Sequence, residues 1–268
     1  MARETRSPKA HPGELRMRWD IVFDTLRRFV QRAGTVLGGL GAFLVAGMLI
    51  AVGATLLFGQ FAEHVMSGGT QAFDEAVLKW MVANHSPLMD AAALEITALG
   101  TGVVVLTMVG VASLFLSLTR HKYSALLLLV ATGGGLLLNT ALKQFFDRPR
   151  PDVFEWGMKA VSSSFPSGHA MSATIVYSTV AYLAARLYNR VWPRWVTMIV
   201  ALLIITLICA SRMYLGVHYP SDVLAGAIIG LGWAAFCMAT LEAIQRFSQR
   251  SRPEIKKDEQ PAPEVQKV

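Results

Sequence analysis

Apolar residues fall in long uninterrupted runs rather than in the one-faced pattern of soluble helices. Six runs lack Asp, Glu, Lys and Arg in their interiors, and each is near the ~20 residues that a helix needs to cross a bilayer. The six predicted spans are Ala33–Ala62, Ile96–Thr119, Tyr123–Leu142, Ala160–Arg186 (apolar from about His169), Trp195–Ser211 and Val223–Leu241. A soluble helical bundle would need polar faces that these runs lack. The pattern predicts an all-α bundle of six transmembrane helices.

The runs divide the chain into three regions. We expect a charged arm over residues 1–32, one membrane domain over 33–245, and a charged tail over 246–268. About thirty mostly polar residues precede the first run, so we expect a retained first helix rather than a cleaved signal peptide. Apolar residues within Arg16–Arg32 indicate an interfacial amphipathic helix. The loop over residues 63–88, which includes Phe73 and Trp80, is predicted to carry a helix on the membrane surface.

Composition agrees with a membrane protein. Hydrophobic types make up 53 % of the 268 residues and charged types 16 %, below the rough quarter typical of soluble domains. The net charge of +7 comes from basic residues between apolar runs, so we expect a bilayer and no nucleic acid as partner. Both cysteines, Cys209 and Cys237, lie inside apolar runs, which argues against a disulfide framework or a thiolate metal site.

The distribution of basic residues predicts the topology. With six spans, both termini share one side, and that side carries 19 of the 25 Lys and Arg residues. The positive-inside rule therefore predicts cytoplasmic termini in a multi-pass protein of the cell (plasma or inner) membrane. Three polar clusters, 143–151, 164–169 and 211–222, fall on the opposite, extracytoplasmic side. His169 and Arg212 are separated by 42 residues, which is enough for two passes and a turn, so we expect the clusters to meet.

The clusters contain groups that bind phosphate. Three cations, Lys143, Arg150 and Arg212, can hold its oxygens, and the arginine fork matches them in pairs. Ser167 and Gly168 precede an apolar helix, so their backbone N–H groups lie at a helix N-terminus that favours an anion.

The same clusters contain groups that react with phosphate. His218 and Asp222 are four residues apart, so on a helical turn the carboxylate can orient the imidazole and leave its other nitrogen free to attack. His169 is suited to protonating the leaving oxygen. Arg148, in the first cluster, is interpreted as a residue that shapes its loop. The set predicts phosphoryl transfer on the extracytoplasmic face of the bundle.

The three clusters resemble the signature of the type-2 phosphatidic acid phosphatases, the lipid phosphate phosphatases. Six residues separate Lys143 from Arg150-Pro151, five separate Arg212 from His218, and three separate His218 from Asp222. Pro166-Ser167-Gly168-His169 forms the middle motif. No signature position departs from the pattern. The soluble vanadium haloperoxidases share the pocket, but they lack the apolar runs of this chain.

The resemblance implies a metal-independent lipid phosphatase with no cofactor. It implies His218 as nucleophile, Asp222 as its orienting group and His169 as acid, with the phosphate held by Lys143, Arg150, Arg212, Ser167 and Gly168. Similarity to the bacterial enzymes implies undecaprenyl diphosphate, phosphatidylglycerophosphate or phosphatidic acid as substrate. Two alternatives remain: a phosphotransferase that uses the same phosphohistidine, and a non-catalytic lipid carrier.

Overall fold

The computed structural model describes residues 41–152 and 162–250. Within these ranges the chain forms helices and no strands, which confirms the all-α prediction. The helices are α1 (Gly41–Met66), α2 (Gln71–Ala83), α3 (Pro87–Ala98), α4 (Gly102–Leu118), α5 (Lys122–Phe145), α6 (Gly168–Ala185), α7 (Val191–Tyr214) and α8 (Pro220–Arg250). The 1–32 arm, including the helix predicted over Arg16–Arg32, lies outside the described residues, as does the tail beyond 250.

Four of these helices, α1, α5, α7 and α8, are long and apolar enough to cross a membrane. α3 and α4 pass the same test together, although they meet at an angle of 44°. Large apolar side chains on these helices face outward, among them Leu49, Val103, Leu137 and Leu202. Such extensive exposed apolar surface is typical of lipid contact rather than of a soluble fold. The protein is therefore a multi-pass membrane protein with four or five candidate spans among its described residues.

Two details of the predicted spans differ from the structure. The second span was predicted as one run over Ile96–Thr119, but the helix breaks between Ala98 and Gly102. Hydropathy does not register this break, because the residues in the gap carry no charge. α8 covers Pro220–Arg250 and is longer at both ends than the predicted sixth span, Val223–Leu241. A helix does form within the loop over residues 63–88, where α2 covers Gln71–Ala83.

α6 is the central helix, in contact with α4, α5, α7 and α8. Its close contact with α8 depends on small residues, since a Cβ at Gly226 would lie 2.6 Å from the Ser167 carbonyl oxygen. A Cβ at Gly230 would similarly lie 2.9 Å from the carbonyl oxygen of Met171. Small residues four apart let helix backbones approach within a membrane domain. This packing brings the first turn of α6 against the first turns of α8, where the polar clusters lie.

Candidate active site

Lys143 lies in the last turn of α5 and reaches the segment that precedes α6. Its Nζ donates a hydrogen bond to the carbonyl oxygen of Ser163 at 2.7 Å. Gly168 packs against α5 beside Lys143 and Asn139, which is one turn earlier. A Cβ at Gly168 would lie 3.0 Å from Asn139 Oδ1 and 3.9 Å from Lys143 Cε. Glycine thus allows the backbone at the start of α6 to come close to α5.

Ser167 is the N-cap of α6 and is fully buried. Its hydroxyl accepts a long hydrogen bond, 3.5 Å, from the backbone N–H of Ala170. Its own N–H donates to the Asp222 carbonyl oxygen at 3.0 Å, which ties the start of α6 to α8. The remaining N–H groups of this first turn and the positive end of the helix dipole favour an anion.

Backbone carbonyls hold the Arg150 guanidinium beside His218. Nε donates to the Ser162 carbonyl at 3.0 Å, and Nη1 donates to the Val217 carbonyl at 2.9 Å. The same Nη1 lies 3.5 Å from Nε2 of His218. A phosphoryl group approaching that nitrogen would therefore meet a guanidinium already oriented toward it.

His218 is 2 % exposed and lies in the turn between α7 and α8. Its Nδ1 is 3.7 Å from Oδ2 of Asp222, which is longer than a hydrogen bond. The Ser164 hydroxyl lies 3.4 Å from Nδ1 and donates to the same carboxylate oxygen. Oδ2 also accepts from the Tyr219 backbone N–H at 2.9 Å. Asp222 and Ser164 together face one edge of the imidazole, so Nε2 is the nitrogen that faces Arg150.

Burial sets the charge of this imidazole. It lowers the pKa of His218 from 6.5 to about 4, although the Asp222 carboxylate acts in the opposite direction. The ring is therefore uncharged at neutral pH, and an uncharged imidazole has a lone pair available for attack.

Arg212 and His169 lie near the break between α3 and α4. Arg212 Nη1 donates to the Thr97 hydroxyl at 2.8 Å, while its buried Nε has no hydrogen-bond partner within the described ranges. A Cβ at Gly100 would lie 3.2 Å from Cδ2 of His169. The His169 ring is also close enough to the other two cations and to His218 for electrostatic interaction.

The helix ends therefore bring together all eight predicted site residues: Lys143, Arg150, Ser167, Gly168, His169, Arg212, His218 and Asp222. Four partners were not predicted as site residues. They are Asp74, Thr97, Arg148 and Ser164. Ser164 and Arg148 stand within the polar clusters, so proximity in sequence was an available signal. Asp74 and Thr97 come from α2 and α3, and nothing in their local sequence links them to the clusters.

Three cations lie around two imidazoles at one end of the helix bundle, an arrangement typical of enzymes that transfer phosphoryl groups. The family model of the PAP2 superfamily matches residues 124–246. The chain is 34 % identical over 196 residues to phosphatidylglycerophosphatase B of Bacillus subtilis (strain 168), covering 73 % of this chain and 96 % of that one. The protein belongs to the PAP2 superfamily.

Two further comparisons agree. The crystal structure of a transmembrane PAP2-type phosphatidylglycerolphosphate phosphatase from Bacillus subtilis matches with a TM-score of 0.66 and 30 % identity, covering 77 % of this chain and 99 % of that one. A lipid A 1-phosphatase of Rhizobium etli is 35 % identical over 118 residues, 41 % of this chain and 46 % of that protein. Family and relatives identify the protein as a lipid phosphatase with a fold like that of the Bacillus enzyme.

Proposed function

We propose that the protein hydrolyses a lipid phosphate or diphosphate in two steps through a phosphohistidine at His218. The observation that carries the proposal is the orientation of this uncharged imidazole. One nitrogen faces Asp222 and Ser164, and the other lies 3.5 Å from the Arg150 guanidinium. The candidate substrates are undecaprenyl diphosphate, phosphatidylglycerophosphate and phosphatidic acid, and the Bacillus relatives are named for the second of these.

In the first step, Nε2 of His218 bonds to phosphorus while the bond from phosphorus to the leaving oxygen breaks. His169 gives its proton to that oxygen, which leaves on the lipid. In the second step, His169 takes a proton from water, and the water oxygen displaces His218 from phosphorus. The product is free phosphate, and both histidines return to their starting states.

Three cations and the N-terminus of α6 bind the phosphoryl oxygens. Lys143, Arg150 and Arg212 offset the charge of the phosphoryl group, which spreads over its equatorial oxygens in the transition state. The Nε of Arg212, which has no hydrogen-bond partner among the described residues, is a donor available for this purpose. The backbone N–H groups after Ser167 complete the set. These groups act without a metal ion.

The topology we propose has six spans, with α6 as the central one. α6 is not among the helices that qualify as spans by length and composition, and it is in contact with four other helices, so its neighbours are helices rather than lipid. Both termini are cytoplasmic, as the basic residues suggest. The site then lies at the extracytoplasmic face of the cell membrane, where a lipid can present its head group from the bilayer.

The experiment is phosphate release by detergent-purified protein, with the three candidate lipids offered in the presence of EDTA. We expect release that survives EDTA, is blocked by vanadate and disappears in His218→Ala; the ranking of the lipids names the substrate. Activity unchanged in the variant would refute the histidine mechanism. Appearance of a phosphorylated acceptor instead of free phosphate would make the protein a phosphotransferase, and absence of turnover would make it a carrier.

A further inference from the structure

Three charged side chains form a buried cluster behind the nucleophile. Asp74 and Asp222 are both fully buried, and Arg148 between them is 8 % exposed. Arg148 Nη1 lies 2.5 Å from Asp222 Oδ1, and its Nη2 lies 3.0 Å from Asp74 Oδ2. Asp74 belongs to α2, outside residues 124–246 that the family model matches.

Neighbouring groups fix the cluster in place. Asp74 accepts from the backbone N–H of Ser221 at 3.0 Å and from its hydroxyl at 2.5 Å, so it binds the first turn of α8 directly. The Ser221 hydroxyl also lies 2.8 Å from Arg148 Nη1. The Tyr219 ring covers the guanidinium, 4.2 Å from Cζ to the ring centroid. Both arms of the arginine are thus satisfied, and water has little access to either pair.

The charges of the cluster do not cancel. Two carboxylates and one guanidinium give a net charge of −1 next to His218. When Nε2 of His218 bonds to phosphorus, Nδ1 keeps its proton and the ring becomes positive. If Arg148 faced Asp222 alone, the two would form a neutral pair that does little for that positive ring. Asp74 offsets Arg148, and the negative charge of Asp222 stays effective for the imidazole.

We propose that Asp74 and Arg148 are positioning residues of the phosphatase: Arg148 orients the Asp222 carboxylate toward His218, and Asp74 keeps the cluster net negative. The inference rests on the proposed phosphohistidine mechanism. It assigns to α2 an indirect part in the chemistry, through Arg148 and Asp222.

The test compares the kinetics of variants that differ in the net charge of the Asp74, Arg148 and Asp222 cluster. Asp74→Asn gives a neutral cluster, and the double variant Asp74→Asn/Arg148→Gln returns it to −1. We expect Asp74→Asn to lower kcat about tenfold or more, with KM within about threefold, because the loss falls on the charged intermediate rather than on binding. The double variant should regain activity relative to Asp74→Asn. Inhibition by vanadate, which bonds to the histidine, should weaken in Asp74→Asn, while inhibition by inorganic phosphate should not.

Glu75→Gln is the matched control, because Glu75 is the neighbouring acid of α2 and its side chain is 45 % exposed. We expect wild-type kinetics for this variant.

A purely structural role predicts the opposite order, with the double variant less active than either single one, and that result would overturn the inference. So would wild-type kcat in Asp74→Asn. If Asp74→Asn does not fold, Arg148→Gln, which leaves a net charge of −2, and the double variant, which leaves −1, decide. Both keep the cluster negative and both lack the arginine, so the charge account expects no lower kcat in the double variant than in Arg148→Gln beyond the effect of this one charge. The structural account expects a further large loss in the double variant. Wild-type protein without phosphatase activity, or active His218→Ala, would instead refute the proposed function.

Discussion

Gly226→Ala tests how closely the candidate active site depends on the contact between α6 and α8. The added Cβ would lie 2.6 Å from the Ser167 carbonyl oxygen and 3.3 Å from both the Met171 nitrogen and the Ala170 Cβ. Two of these three atoms are backbone, so no side-chain rotation can relieve the contact. That carbonyl also accepts the Met171 N–H at 3.0 Å, in the first turn of α6.

The size of the effect follows from the distance. To bring the oxygen to 3.0–3.4 Å, the two helices must separate by about 0.4–0.8 Å from the 2.6 Å contact. Overpacking of this kind costs about 1–3 kcal/mol of stability. It also shifts Ser167 and Gly168 relative to His218 and Asp222. Since a misplacement of about 1 Å can cost 100-fold in rate, we expect kcat/KM to fall about tenfold.

The assay is phosphate release from the preferred lipid together with the thermal midpoint, Tm, in detergent. Gly133→Ala in α5 is the control, because a Cβ there meets nothing within 4 Å. It should keep wild-type kcat/KM and a Tm at or above that of wild type, since alanine favours a helix over glycine. A Gly226→Ala protein with unchanged kcat/KM and Tm would refute this account of the packing.

Two further predictions concern side chains that hold the site residues. Thr97→Val removes the hydroxyl that accepts from Arg212 at 2.8 Å, and loss of about 1 kcal/mol of positioning should raise KM several-fold. Thr97→Ser should keep KM near wild type, and identical kinetics of all three proteins would show that Arg212 does not depend on this contact. Ser164→Ala removes the hydroxyl shared by Asp222 and His218. We expect kcat to fall about tenfold with little change in KM; unchanged kcat would contradict a role for Ser164 in orienting the imidazole.

The positions of site residues that stand at the ends of apolar runs were predictable from the sequence. Lys143, His169 and Arg212 follow or precede apolar runs, so the length of those runs was enough to place them at one end of the bundle. The apolar runs also predicted the all-α fold, and apolar residues such as Phe73 and Trp80 predicted a helix within residues 63–88. Gly226 and Gly230 bring α6 and α8 into close contact, which the lengths of the apolar runs cannot indicate.

The contribution of α2 and α3 was not predictable in this way. Asp74 is one acid in a helix that also contains exposed Phe73 and Trp80, a pattern typical of any interfacial helix. Its burial depends on a tertiary contact with Ser221, which lies 147 positions away in the sequence. The local sequence around Asp74 does not indicate that contact. Likewise, Thr97 accepts a hydrogen bond from Arg212 next to the break after Ala98. The residues at that break are uncharged, so hydropathy does not predict it.

The stereochemical course at phosphorus tests the central claim most directly. A lipid thiophosphate made chiral with oxygen isotopes would be hydrolysed in water carrying the third isotope, and the configuration of the released thiophosphate determined. Each in-line displacement inverts phosphorus, so attack by His218 followed by attack by water predicts overall retention. Overall inversion would mean that water attacks the lipid phosphate directly, and it would contradict the phosphohistidine mechanism.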